Sequence, residues 1–156
     1  MTKPKIGFIG LGLMGGNMAS CLLDNGFDLT VWGRSESSIA KAVGQGAMVA
    51  ASPKELARTC DIIMLCVTTS EVVESLIYGD EGILAGLNPG TIVIDYGTSI
   101  PASTQKIGAD LAAKGAGMID APLGRTPAHA KDGLLNIMAA GNLDTFEKVK
   151  PVLDVQ

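Results

Sequence analysis

Three glycines near the start of the chain and two arginines further along are the residues whose types and spacing best suit chemistry. The glycines stand as Gly10-x-Gly12-x-x-Gly15, behind the apolar run Ile6-Gly7-Phe8-Ile9 and ahead of a stretch with helical spacing. In a strand-to-helix turn each has its own task. Gly10 permits the tight turn, Gly12 has no Cβ to keep the backbone from a pyrophosphate, and Gly15 lets the helix pack close to the strand. Leu11, Leu13 and Met14 complete the loop, and the phosphates sit at the helix N-terminus, where free amides and the macrodipole favour an anion. Three spaced glycines in a chain with 20 are a weak signal alone. The preceding strand and following helix turn them into a candidate dinucleotide site, with a plain glycine-rich turn as the alternative.

About 20 residues further on, Gly33-Arg34-Ser35 follows the second apolar run, where an NAD-binding chain usually carries Asp or Glu for the ribose hydroxyls. No acid stands there, and Glu36 comes only after the arginine and serine. The planar guanidinium of Arg34 and the hydroxyl of Ser35 suit a phosphate, which favours NADP over NAD. The other reading of Arg34 is a solvated surface side chain. Val67 and Thr68 should pass the adenosine side of the pyrophosphate, although Thr68 and Thr69 serve equally as helix caps. Thr98 lies within reach of the nicotinamide end, and Ser99 is either a ligand contact or a cap. Asp120-Ala121-Pro122-Leu123 leads to Gly124-Arg125-Thr126, where Arg125 suits an anionic substrate group or a surface ion pair. His129 stands among alanines without an evident carboxylate partner and reads as structural or solvated. No Ser–His–Asp pattern and no cluster with metal-ligand spacing is present, so hydrolysis and metal catalysis are disfavoured.

The elements that must position these residues follow from alternating apolar and amphipathic segments. Strands are expected at Lys5–Ile9, Asp28–Trp32, Met48–Ala50, Ile62–Val67, Thr91–Asp95, Gly117–Asp120 and Leu134–Ala140. Helices are expected over Met14–Asn25, from Glu36 to about Val43, from Pro53 to near Cys60, from Ser70 or Glu71 to Tyr78, from Pro101 to about Lys114, and from Leu143 onward, with a helical turn at Ile83–Leu87. Ser52-Pro53-Lys54-Glu55 carries a cap, a first-turn proline and a capping-box glutamate. The alternation specifies an α/β, Rossmann-like, doubly wound and mostly parallel sheet in a single domain.

Composition agrees. The chain has 156 residues, 47% apolar and 18% charged, enough for one folded core. A net charge of −4 without a basic run argues against nucleic acid or an anionic membrane as partner. No apolar stretch reaches the length of roughly 20 residues that spans a bilayer, and no signal peptide is evident. Cys21, Cys60 and Cys66 read as buried reduced thiols, as expected of a cytoplasmic protein.

The run from Ile6 to Gly15, followed by Asn17-Met18-Ala19, closely resembles the opening of β-hydroxyacid dehydrogenases, and the similarity extends over the whole chain. That family includes 3-hydroxyisobutyrate dehydrogenase, tartronate semialdehyde reductase, sulfolactaldehyde reductase and, more distantly, 6-phosphogluconate dehydrogenase. Val31-Trp32-Gly33-Arg34-Ser35 looks like its cofactor-selecting turn, and Cys66-Val67-Thr68 stands where many members have Met-Leu-Pro. Asp95-Tyr96-Gly97-Thr98 resembles Asp-Met-Ser-Thr, whose threonine meets the nicotinamide and substrate. Asp120-Ala121-Pro122-Leu123 resembles the Asp-Ala-Pro-Val that opens the substrate loop. Gly124-Arg125-Thr126 replaces the usual Ser-Gly-Gly and resembles the sulfolactaldehyde reductase branch.

The resemblance implies an NADP(H)-binding domain, with NAD as the other candidate cofactor. The reaction it implies is hydride transfer to or from a small β-hydroxyacid or semialdehyde. Thr98, Gly124, Arg125 and Thr126 would meet the anionic substrate. In the family a long interdomain helix and an all-α domain follow, carrying the catalytic lysine and an asparagine; neither Lys114 nor Lys131 stands at that lysine's position. Residues 1–156 are therefore expected to hold no catalytic residue and to be inactive alone, and an apolar patch on the last helix suggests a homodimer. The alternative is a dinucleotide-sensing or assembly module without catalysis.

Overall fold

A computed structural model describes residues 2–156. The chain begins β1 (Ile6–Ile9), α1 (Leu13–Asp24), β2 (Leu29–Trp32), α2 (Glu36–Gly44), β3 (Met48–Val49), α3 (Pro53–Thr59) and β4 (Ile62–Leu65). It continues through α4 (Ser70–Ile77), α5 (Ile83–Gly86), β5 (Ile92–Asp95), α6 (Pro101–Ala113) and β6 (Gly117–Asp120). The last part holds β7 (Leu123–Gly124), α7 (Pro127–Lys131), β8 (Asn136–Ile137), β9 (Ala140–Gly141) and α8 (Leu143–Leu153). Seven strands form one sheet in the order β3-β2-β1-β4-β5-β6-β9, parallel throughout except where β9 runs against β6. The strand order reverses between β1 and β4, which opens a crevice beyond their carboxyl ends.

Both faces of the sheet are covered, so the central strands are continuous apolar runs rather than alternating ones. Ile6, Phe8, Ile62, Met64, Ile92 and Ile94 pack into one core with α1 and α8, whereas Ile9, Ile63, Leu65 and Val93 face the other with α3, α4 and α6. The partition follows the two-residue period of a strand. β1, β4 and β5 lie in register, with Ile9 beside Leu65 and Leu65 beside Asp95, so their carboxyl ends finish level. That level edge carries the site.

Local chemistry places most boundaries. Gly26, at φ +74°, ends the turn after α1, and Ser35, Ser52 and Thr69 each accept an N–H from the first turn of α2, α3 and α4. Three expectations need correction. The segment Leu134–Ala140 is not one strand: Asn136–Ile137 pairs with Leu123–Gly124 in a separate two-stranded sheet, and Ala140–Gly141 joins β6 instead. Its half-exposed alternation satisfies two different partners in turn. At α3, Ser52 takes the Glu55 N–H at 3.2 Å, but the Glu55 carboxylate meets Arg58 at 2.7 Å rather than closing a capping box. Ser99 does not cap α6; its hydroxyl donates to Asp95 Oδ2 at 2.5 Å and the capping position falls to Ile100.

Candidate dinucleotide site

The glycine loop leaves β1 with Gly10 at φ +100°, a left-handed conformation that a side chain strains. A Cβ on Gly10 would also stand 2.1 Å from the Cys66 carbonyl oxygen of the neighbouring strand end. Gly15 is closed off just as tightly, since its Cβ would lie 1.8 Å from the Gly10 carbonyl oxygen and 3.2 Å from the Phe8 ring. Gly12 is the opposite case: nothing stands within 4 Å of the Cβ it lacks. Two glycines hold the turn together, and the third faces open space.

That space is the mouth of a positive helix end. Gly12 is the N-cap of α1, no side chain caps the helix, and no acid lies in its first turn. The first backbone N–H bonded back along the turn is that of Gly16, to the Gly12 carbonyl at 2.8 Å. Helix geometry therefore leaves the amides of Leu13, Met14 and Gly15 for an external acceptor. A pyrophosphate fits this cradle in charge and in shape.

A cleft of about 330 Å³ opens from the loop across the carboxyl ends of β1, β2 and β4. Its wall brings together Gly10, Leu11 and Gly12 with Gly33, Arg34 and Ser35 and with Val67 and Thr68. Leu13 lies outside it, exposed against an adjoining hollow; Met14 packs on the core and Gly15 is buried beneath the loop. These three contribute main chain rather than wall. The two threonines after β4 divide their roles: Thr69 caps α4, accepting the Val72 N–H at 3.3 Å, and exposed Thr68 lines the cleft. Ser35 combines both, capping α2 through the Ser38 N–H at 3.3 Å while facing the cleft. Arg34 is exposed, and among the described residues no carboxylate lies within ion-pair distance of it.

Trp32, Val72 and Leu76 supply an apolar wall that the sequence reading did not single out. Their signal is positional: Trp32 is the last residue of β2, and Val72 and Leu76 stand four apart on α4, on one helical face. Such a wall suits the flat face of a purine. Cys66 completes the floor, and burial, followed by the nearby Asp95 carboxylate, pushes its thiol up to about 11. Cys21, Cys60 and Cys66 are all free, and no group of ligating side chains suited to a metal occurs among the described residues.

Thr98 sits outside this cleft, exposed on the loop after β5. The loop is held beneath it by Asp95, whose Oδ1 accepts the Gly97 N–H at 2.9 Å and whose Oδ2 accepts the Ser99 hydroxyl. Gly124 pairs with Asn136 in the small sheet, and Arg125 follows at φ +76°, the one non-glycine residue with positive φ among those described. The guanidinium of exposed Arg125 spans the hairpin to donate to the Leu134 carbonyl at 3.0 Å. Thr126 meets His129 Nδ1 through its hydroxyl at 2.8 Å, which gives the histidine a local structural task. Asn17, from the helix that begins at the glycine loop, donates to the Pro127 carbonyl at 2.9 Å. This bond ties α1 to α7, the helices that follow the two loops and pack on each other.

Asp120 is the unsatisfied member of this edge. Its Oδ1 is buried without a partner, and burial together with Asp95, its register neighbour, raises its pKa. A carboxyl whose folded pKa is raised costs stability once pH exceeds it and regains it on acidification. Asp120→Asn removes the buried charge and is therefore expected to raise stability at pH 7. Urea denaturation at several pH values checks this, and the gain should vanish as the wild-type carboxyl protonates.

Residues 5–156 match the family described as the NAD binding domain of 6-phosphogluconate dehydrogenase. The chain belongs to that family. It is 38% identical to 3-sulfolactaldehyde reductase of Escherichia coli K12 over 148 residues, 95% of this chain and 50% of that protein. It is 36% identical to the probable mitochondrial 3-hydroxyisobutyrate dehydrogenase-like 3 of Arabidopsis thaliana over 152 residues, 97% of this chain and 48% of that one. The solved structure of Psf3 in complex with NADP+ and 2-OPP superposes with a TM-score of 0.91 at 31% identity, covering 96% of this chain and 53% of that one. The chain thus spans about half the length of the relatives it matches. Its place among the β-hydroxyacid dehydrogenases, as an NAD(P)-binding domain of Rossmann type, agrees with the open glycine loop and the strand order. No helix among the described residues is long and apolar enough to cross a membrane.

Proposed function

We propose that this domain binds NADP(H) and presents it for hydride transfer to or from a small anionic β-hydroxyacid or its semialdehyde. The observation that carries the reading is that one cleft is lined both by Gly12, open where its Cβ would stand at the start of α1, and by Arg34, which has no carboxylate within ion-pair distance among the described residues. The cofactor supplies the hydride chemistry. The chain's own residues do the rest: the first amides of α1 hold the pyrophosphate, Val72 and Leu76 exclude water from the purine, and Arg34 with Ser35 meets the extra phosphate. Arg125 and Thr126, with the Gly124 backbone and Thr98, would orient the carboxylate, phosphate or sulfonate of the substrate. Likeness to 3-sulfolactaldehyde reductase supports an anion at Arg125, which is exposed and, among the described residues, has no carboxylate within ion-pair distance.

Proton delivery to the carbonyl oxygen falls to the lysine that the family resemblance places beyond these residues. Residues 1–156 alone are accordingly expected to bind NADPH and to show no measurable reduction of three-carbon carboxy- or sulfo-aldehydes, followed by NADPH absorbance. Turnover by these residues would overturn the assignment of the general acid. Failure to bind either cofactor would overturn the proposal itself.

A further inference from the structure

The loop that carries Thr98 is held by hydrogen bonds more than by packing. Thr98 and Ile100 are exposed, and Gly97 and Ser99 are only half-buried. Asp95, at the end of β5, takes the Gly97 N–H and the Ser99 hydroxyl and so shapes the loop from within. Neither bond fixes it against the rest of the cleft. The start of α6 adds little, because Ile100 at its N-cap has no side-chain oxygen and Pro101 has no N–H.

Ser70 supplies the outside anchor. Its hydroxyl oxygen accepts the Ile100 N–H at 2.8 Å, the one hydrogen bond among the described residues that reaches Gly97–Ile100 from an element other than β5 and α6. Ser70 opens α4 and is only 5% exposed. Capping that helix is the task of its neighbour Thr69, which takes the Val72 N–H. The buried Ser70 oxygen is therefore free for Ile100, and a buried hydroxyl is seldom left without a partner. The two loops also meet at Gly97, where a Cβ would lie 3.3 Å from the Val67 carbonyl oxygen. Val67 and Thr68 line the cleft, so the segment that forms its wall also pins the loop of Thr98.

We propose that Ser70 is a positioning residue for the nicotinamide half of the cofactor, holding the loop of Thr98 in line with the cleft wall. The inference rests on the NADP(H) reading above and names what aligns the two halves of the dinucleotide. The pyrophosphate and adenosine half is held by α1 and the end of β2, and Ser70 is not among the residues that line that cleft. An exposed loop can move without disturbing the core. Loss of the anchor therefore shows in what Thr98 meets and not in what Arg34 meets.

The test compares wild type, Ser70→Ala, Ile100→Pro and the double variant as residues 1–156, titrated calorimetrically with NADPH and with 2′,5′-ADP, which lacks the nicotinamide. Ser70→Ala removes the acceptor, and Ile100→Pro removes the donor at a φ of −68° that proline adopts. Ile100 is exposed, so its variant tests the bond even where Ser70→Ala fails to fold. Each should weaken NADPH about fivefold and leave 2′,5′-ADP unchanged, with no further loss in the double variant. The Thr98 amide resonance should move when NADPH is added to wild type and move less in each variant, while those of Gly12 and Arg34 respond alike in all. Equal losses for the two ligands, no loss for either, or additive losses in the double variant would overturn this inference alone. A Thr98 amide that NADPH leaves unmoved in wild type would do the same. A wild type that binds neither ligand overturns the NADP(H) reading, and this inference with it.

Discussion

Gly12→Ala is expected to leave the protein folded and to abolish useful dinucleotide binding, whereas Gly10→Ala is expected to unfold it in part. The two glycines are two residues apart and look interchangeable as letters. At Gly12 the backbone has φ −70° and the added methyl meets nothing within 4 Å. Losing glycine at an N-cap costs up to about 1 kcal/mol of folding stability. The methyl stands, however, where a pyrophosphate oxygen must approach the amides of Leu13 and Met14. Each charge-assisted hydrogen bond lost there costs about 1.5–3 kcal/mol, so two lost weaken NADPH and NADH alike by about a hundredfold or more.

At Gly10 both terms act on the fold instead. The φ of +100° strains alanine, and its Cβ would stand 2.1 Å from the Cys66 carbonyl oxygen, which the paired strands β1 and β4 hold in place. Backbone strain and overpacking of about 1–3 kcal/mol each give a loss of about 2–6 kcal/mol, a large part of the total stability of about 5–15 kcal/mol for such a domain. Urea denaturation and cofactor titration of the two variants separate these effects. NADPH affinity of wild-type strength in Gly12→Ala, or an unchanged denaturation midpoint in Gly10→Ala, would contradict the account of the loop.

The second large effect is selective rather than general. Arg34→Ala should weaken NADPH by about 1.5–3 kcal/mol, roughly ten- to 150-fold, while NADH changes little. The side chain is exposed and unpaired, so its removal leaves no carboxylate stranded and no cavity in the core. Exposure also makes the effect salt-dependent, and it should shrink as ionic strength rises above the physiological range. Ser35→Ala is a poorer probe, because that hydroxyl also caps α2 through the Ser38 N–H. Equal losses of NADPH and NADH in Arg34→Ala would overturn the assignment of the phosphate subsite.

The parts of the molecule that were legible in the sequence are those whose signals are local. The glycine spacing, the serine caps of α2 and α3, and the buried runs of β1, β4 and β5 each depend on neighbours within a few residues. The apolar wall of the cleft was not legible, because Trp32, Val72 and Leu76 come from two elements that only strand order brings together. Pairing was invisible for a related reason: the stretch from Leu134 to Ala140 alternates like one strand, yet serves β7 and β6 in succession. Ser99 shows the same limit, since a serine ahead of Pro101 reads as a cap until Asp95 is found beside it. The positive φ of Arg125 also leaves no mark in the letters, although glycine at the matching place in the resembling family is what such a backbone favours.

Everything turns on whether the phosphates rest on the main chain at the start of α1. The direct measurement is an NMR titration of ¹⁵N-labelled protein with NADPH, following backbone amides. The account predicts that the Gly12, Leu13 and Met14 resonances move together with those of Arg34 and Thr68, saturating at one dissociation constant. NADPH binding that leaves the Gly12, Leu13 and Met14 amides unmoved would contradict it.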